Sequence, residues 1–241
     1  LSQLYHDHQR GINSGYAKFE TFPIWNIPLK HPVNVAYEAA TADIQDFNLV
    51  DPFHLNKYNK VAINYNRDVE SFPILKRIIS KITNKTETSM PLYNSPTDMG
   101  VNMANSGIID EEACKEAAKQ ELIRRYFRYN SEYVIGIEEK ETVNRVLRLM
   151  EELGVKVEDR EVVRIARESA IDAEKKGKGN KGIYCGAAIE LDDGRIITGK
   201  NSKLLHAASS LVLNAAKILA NIPDEIHLLS PQVINQIGKL K

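Results

Sequence analysis

The apolar positions of this chain change their spacing twice. Over residues 1–106 they come in short runs broken by Pro, Asn and Asp; from Ile109 they fall at helical intervals; beyond residue 182 they return to strand-like stretches. Leu1, Leu4, Tyr5 and His8 share one helical face that stops at Gly11, which predicts a helix whose first turn lies upstream in a longer protein. YAKFETFPI (16–24) alternates in part until Pro23 interrupts it, and HPVNVAYEAATADI (31–44) sets Val35, Ala39 and Ala42 on one helical side. KVAINYN (60–66) reads as a strand, and FPILKRIISKIT (72–83) as an amphipathic helix on Ile74, Leu75, Ile78, Ile79 and Ile82. Residues 93–107, YNSPTDMGVNMANSG, carry turn chemistry and little apolar drive, as a ligand-facing loop would.

Helical spacing then dominates. Asp110 is placed to cap a helix that ends near Arg124, Arg125 and Arg128, where cations suit the negative helix end. Val143, Val146, Leu147, Met150 and Leu153 stack on a second helix closed by Gly154, and Asp159 is placed to cap a third through Ile165, Ala166 and Ala170. After a basic linker, KKGKGNKG (175–182), come a strand in IYCGAAIEL, a turn at Asp193-Gly194, a strand in RIITG, a helix over 204–220, a strand at EIHLLS and a last helix. The expected class is α/β. It comprises a mixed region over 1–106, a helical segment over 107–178 and an α/β/α layer over 179–241, whose thin sheet the strand at 60–66 could complete.

Composition removes several alternatives. Lys+Arg and Asp+Glu balance at 32 each, so no net field recruits nucleic acid or an acidic membrane surface. No apolar run approaches the roughly 20 residues of a membrane helix. Two cysteines, Cys114 and Cys185, are too few for a disulfide framework, which points to a reduced, cytoplasmic setting.

The last segment has the opening of a cytidine-deaminase-like unit without its working parts. A zinc deaminase needs H-x-E and P-C-x-x-C, so that three ligands hold the metal and a Glu shuttles protons. His206 stands at the His position, but Ala208 replaces the Glu and no cysteine follows Pro231; zinc deamination is excluded and no zinc is expected. His6 and His8 diverge around their helix, so they do not form a metal pair. GKGNKG (177–182) follows a helix and precedes a strand, the reverse of a dinucleotide loop. Neither GxSxG nor HExxH occurs.

The candidate chemistry is the density of polar residues among aromatics before residue 106. Lys18 and Glu20 flank Phe19; Asn34, Glu38 and Asp43 lie on or beside one short helix; Asn66, Arg67 and Asp68 follow a strand, where α/β proteins place ligand loops; Thr97, Asp98 and Asn102 sit in a glycine-containing loop. Each alone would serve as a cap or turn residue. Together they are read as a small-molecule site in which Lys18 and Arg67 neutralise anionic groups, while Glu38, Asp68 or Asp98 positions a metal-nucleotide or acts as base.

The runs AKFETFPIWNIPLKHPVNVAYEAATADI, NYNRDVESFP, SPTDMGVNMA, AAKQELIRRY and DEIHLLSPQVI closely resemble a bacterial family known only as domain of unknown function 1846. Members of about twice this length carry a Gly-Pro-Gly-Ser-Gly-Lys turn just upstream of the first helix. The resemblance therefore implies a P-loop-type half outside this chain, binding ATP or GTP with Mg²⁺. This sequence holds no part of that turn, and the family supplies no reaction. Two functions stand as expectations: the C-terminal part of a nucleotide- or phosphate-ligand-binding enzyme, and a non-catalytic assembly or regulatory protein that forms a homo-oligomer.

Overall fold

The computed structural model describes residues 1–18, 23–83 and 93–239. The protein is mixed α/β, predominantly helical, with two small antiparallel sheets among the described residues. It divides into two compact units, residues 1–155 and 156–241.

Unit 1 opens with α1 (Ser2–Gln9) and α2 (Pro32–Ala40), followed by β1 (Asn48–Val50), α3 (Pro52–Tyr58), β2 (Ile63–Tyr65) and α4 (Asn66–Ile82). Two 3₁₀ turns, Pro96–Met99 and Ala104–Gly107, precede the long α5 (Glu111–Val134) and α6 (Lys140–Leu153). Asp110 caps α5 through the Ala113 amide, and Gly154 ends α6 in the left-handed conformation that an L side chain resists. The apolar stripes of α5 and α6 close on α2, burying Val35, Ala39, Leu122, Ile123, Val146 and Met150. Tyr129 is fully buried there and spends its hydroxyl on the Ala39 carbonyl, 3.2 Å away. A second cluster of Leu4, Phe72, Ile79 and Met99 joins α1, α4 and the first 3₁₀ turn.

In unit 2, α7 (Glu161–Lys175) precedes a hairpin of β3 (Gly186–Glu190) and β4 (Ile196–Lys200), then α8 (Ala207–Leu219) and α9 (Pro231–Lys239). The register pairs Gly186 with Lys200 and Ala187 with Gly199, so these pairs face opposite sides of the hairpin. Lys200 meets Asp172 of α7, whose carboxyl is held down at about 2, first by the Lys200 hydrogen bond and then by that of Lys176. A methyl on Gly186 would stand 2.1 Å from the Ala166 carbonyl of α7; one on Gly199 would stand 2.3 Å from the Leu211 amide of α8. The hairpin thus carries α7 on one face and α8 on the other, each in contact with strand backbone.

Several sequence expectations are corrected. Of the helices expected as a middle segment, α5 and α6 belong to unit 1 and α7 to unit 2. Asp159 does not cap α7; its carboxylate accepts the Lys156 amide inside its own 3₁₀ turn. The strand at 60–66 shrinks to Ile63–Tyr65 and pairs with β1, not with the hairpin. Residues 66–70 form the first turns of α4 and not a loop, because helix follows β2 without a break. EIHLLS (225–230) is irregular: no partner strand lies along it among the described residues, and Pro231 starts the last helix directly after it. The alternating run at 16–24 falls partly outside the described residues.

Gly186→Ala and Gly199→Ala are each expected to cost about 3 kcal/mol or more, because the added methyl meets rigid backbone. Gly238→Ala, in open space on α9, should instead gain up to about 1 kcal/mol. Equilibrium urea unfolding of the chain checks both; a Gly199→Ala protein as stable as the parent would refute the close packing of α8.

Candidate functional site

The site is built on the short helix α3. Asp-Pro starts it by standard chemistry: Pro52 tolerates the first helical position, and Asp51 Oδ1 accepts the Phe53 and His54 amides, both at 3.0 Å. The helix stops at Asn59 in the left-handed conformation. His54 and Tyr58 are four residues apart and so share one face, their rings 4.7 Å between centroids, with the Trp25 ring edge-on to His54 at 6.4 Å.

The facing wall is the Ser95–Met99 turn. Ser-Pro-Thr-Asp is a capping box: Ser95 Oγ accepts the Asp98 amide at 3.2 Å and Asp98 Oδ2 accepts the Ser95 amide at 3.1 Å. Asp98 Oδ2 also accepts the Asn94 amide at 2.8 Å and the Tyr58 hydroxyl at 3.0 Å. Loss of water holds the Tyr58 phenol above its ordinary range; the Asn94 hydrogen bond opposes that rise and the Asp98 carboxylate adds to it. Asp98 Oδ1 stands 3.9 Å from His54 Nδ1 and accepts no hydrogen bond among the described residues.

Asp51 joins the two walls, since its Oδ2 accepts the Thr97 hydroxyl at 2.5 Å and the Thr97 amide at 3.2 Å. The network continues as Asn64 Nδ2 donates to Thr97 Oγ1 at 3.0 Å, and Lys18 Nζ donates to Asn64 Oδ1 at 2.7 Å and Asp68 Oδ2 at 2.9 Å. Between the walls lies an open cleft of about 470 Å³ lined by Trp25, His54, Tyr58, Lys60, Thr97, Asp98 and Val101.

Sequence reasoning named part of this. Lys18, Asp68, Thr97 and Asp98 come together, although Lys18 is 9% exposed and its charge serves the internal network rather than the cleft. Arg67 is turned away: it pairs with the buried Asp46 at 2.7 Å. Asn34 clamps the Ile24 backbone through its amide and carbonyl, and Glu38 takes Arg145 at 3.0 Å and the Asn48 amide at 3.2 Å. Asn66 accepts the Phe47 amide, Asp43 the Ile44 amide, and Asn102 the Ala104 amide beside its bridge to Ile24. None of these side chains is among those that line the cleft. Glu20 lies outside the described residues. Asp51, His54, Tyr58 and Ser95 were missed. The signals for them were Asp-Pro before a four-residue His–Tyr spacing, and the Ser-x-x-Asp box.

The arrangement is not a nucleophilic triad, although Ser, His and Asp are adjacent. Ser95 and Asp98 both face the same ring nitrogen, Nδ1, whereas a relay needs them on opposite nitrogens. Among the described residues no group of three His, Cys, Asp or Glu side chains is placed to hold a metal, and no helix is long and apolar enough to cross a membrane.

A mixed α/β fold with a polar, aromatic-walled cleft in its first unit is the class of protein that these observations define. The chain belongs to the family described as domain of unknown function DUF1846: the N-terminal model matches residues 1–154 and the C-terminal model residues 158–241, a division that falls where the two units meet. It is 54% identical over 242 residues to the UPF0371 proteins of Clostridium botulinum strains Langeland and Okra, and 53% identical over 241 residues to that of Clostridium tetani strain Massachusetts. Each match covers 100% of this chain and 47% of the relative, so the chain spans about half the length of these relatives.

Asp51→Ala should cost about 3–5 kcal/mol, since it removes a cap and strands the buried Thr97 donors. Thr97→Ser, which keeps the hydroxyl, should cost about 1 kcal/mol; urea unfolding that failed to separate the two variants would refute the role of this network. Burial raises the Asp46 carboxyl and Arg67 pulls it back, so Asp46 favours folding most at acid pH and that favour is lost as pH rises through its folded pKa. Removing Arg67 moves this folded pKa still higher. Arg67→Gln is therefore expected to lose up to about 1 kcal/mol at pH 7, since the guanidinium is largely exposed and its attraction is screened, with the deficit closing as the pH falls and Asp46 protonates. A deficit equal at pH 4 and pH 7 would overturn that account.

Proposed function

We propose that unit 1 binds a small organic ligand of the nucleotide or phosphate-bearing class in the cleft between α3 and the Ser95–Met99 turn. What supports this reading is a cleft lined by three aromatic side chains, Trp25, His54 and Tyr58, beside polar groups not used by the fold. Lys60 forms no ion pair, and Asp98 Oδ1 accepts no hydrogen bond, among the described residues. Anion recognition passes from Lys18 and Arg67, which serve internal pairs, to Lys60. In the longer protein the cleft would act with a P-loop-type half that supplies ATP or GTP with Mg²⁺, in a cytoplasmic enzyme with no nucleic-acid or membrane partner. The hairpin of unit 2, with a helix on each face, is read as a deaminase-like layer whose zinc chemistry has been dropped.

A second reading has one observation in its favour. The α8 sequence AASSLVLNAAKIL carries a single charge, and its Val212 and Leu219 are 66% and 62% exposed. Such a helix suits self-association, as an oligomeric assembly or regulatory protein would need.

Thermal unfolding with ATP, GTP and AMP, with and without Mg²⁺, tests the first reading. A ligand at about 100 times its Kd adds about 2.7 kcal/mol, a rise of about 5–10 °C at this chain length. The rise should vanish in Tyr58→Ala and Lys60→Ala and persist in Arg67→Gln. No rise at millimolar nucleotide would refute the nucleotide reading, and a concentration-dependent dimer in sedimentation would favour the second.

A further inference from the structure

Ser95 is 0% exposed, and a buried hydroxyl hydrogen needs an acceptor. Its oxygen already accepts the Asp98 amide. Among the described residues the acceptor within reach of its hydrogen is His54 Nδ1, at 3.2 Å. Were the ring to donate from Nδ1 instead, the hydroxyl would be left without a partner at a cost of about 1–3 kcal/mol. The competing pull on an Nδ1 hydrogen comes from Asp98 Oδ1, which at 3.9 Å is beyond hydrogen-bond reach. The hydroxyl therefore donates, Nδ1 keeps its lone pair and Nε2 carries the hydrogen. Protonating the ring adds a hydrogen at Nδ1 and leaves the one on Nε2, so Nε2 is a donor in either charge state.

His54 is 9% exposed, lines the cleft, and makes no hydrogen bond through Nε2 to any described residue. Lys60, a cation, lines the same cleft. Asp98 Oδ1 is the complementary acceptor.

We infer that His54 Nε2–H and Lys60 form an oxyanion subsite, and that Asp98 Oδ1 takes a hydroxyl or amino hydrogen of the same ligand. This rests on the reading that the cleft holds a ligand, and it narrows the class to a compact molecule carrying a phosphate or carboxylate together with a hydroxyl or amine. Its flat part lies against Trp25 and Tyr58. It also assigns His54 as a donor to the ligand rather than as a base, because a neutral ring with hydrogen on Nε2 has no lone pair to offer the cleft.

Long-range ¹H–¹⁵N NMR of the ¹⁵N-labelled chain reads the ring directly. The expected neutral form has Nε2 protonated and Nδ1 bare, and Ser95→Ala, which removes the hydroxyl that holds Nδ1 bare, should raise the share of the Nδ1-protonated form. Titration with inorganic phosphate, and separately with acetate, should move the His54 and Lys60 signals saturably and show which oxyanion is preferred. His54→Leu and Lys60→Ala should each weaken phosphate binding about tenfold or more, a loss of about 1.4 kcal/mol. His54→Gln, whose amide presents a donor at the same reach, should stay within about threefold of the parent. A wild-type ring protonated at Nδ1, or phosphate bound equally well by His54→Leu, would overturn the inference. Either result can occur while nucleotides still stabilise the protein. Conversely, phosphate seated on His54 and Lys60 with no nucleotide response would refute the nucleotide reading alone.

Discussion

One buried carboxylate organises the first unit. Asp51 is fully enclosed: one oxygen accepts two backbone amides at the start of α3, and the other accepts the hydroxyl and amide of Thr97, more than forty residues away. Such a group is tolerated inside a protein only when its lone pairs are filled, since an unfilled charge costs far more than an unmade neutral contact. Here the filling donors are the start of α3 on one side and Thr97 on the other. The spacing of the cleft walls is therefore set by hydrogen-bond length, not by the looser fit of apolar packing.

The rest of the site follows from that junction. Thr97 has its hydrogen committed to Asp51 and its lone pair to Asn64, which fixes the Asn64 carbonyl toward Lys18. Lys18 in turn ties the first turn of α4 to the same layer through Asp68. Each group is spent on its neighbour, so the polar atoms left over at the cleft are few and identifiable. A rigid, satisfied layer beneath a small set of unspent groups is how binding sites keep geometry without paying for ordering when the ligand arrives.

Much of this was legible in the residues. The periodicity of Val143, Val146 and Met150 and the Asp193-Gly194 turn locate α6 and the hairpin because both signals are local. Thr97, Asp98, Lys18 and Asp68 were recognisable as candidates from type and clustering alone. Which polar residues face outward was not legible: Arg67 and Lys18 look equally available in sequence, and only tertiary partners, Asp46 and Asn64, remove them. Helix α3 escaped notice because seven residues carry too little periodicity, although Asp-Pro marks its start. The expected third strand of unit 2 failed for a different reason: EIHLLS has strand-forming residues but no neighbour to pair with among those described.

The two glycines of the hairpin have a consequence for how unit 2 can change. Gly186 and Gly199 let α7 and α8 rest on bare strand backbone from opposite sides, so the layer is held at the thickness of one peptide ribbon. Interiors packed through side chains adapt when a residue grows or shrinks, because neighbours repack to share the volume. Backbone against backbone has no such reserve. Sequence drift in this unit is thereby channelled away from its centre and into the outer surfaces of α8 and α9, where a new binding surface can arise without disturbing the ribbon beneath.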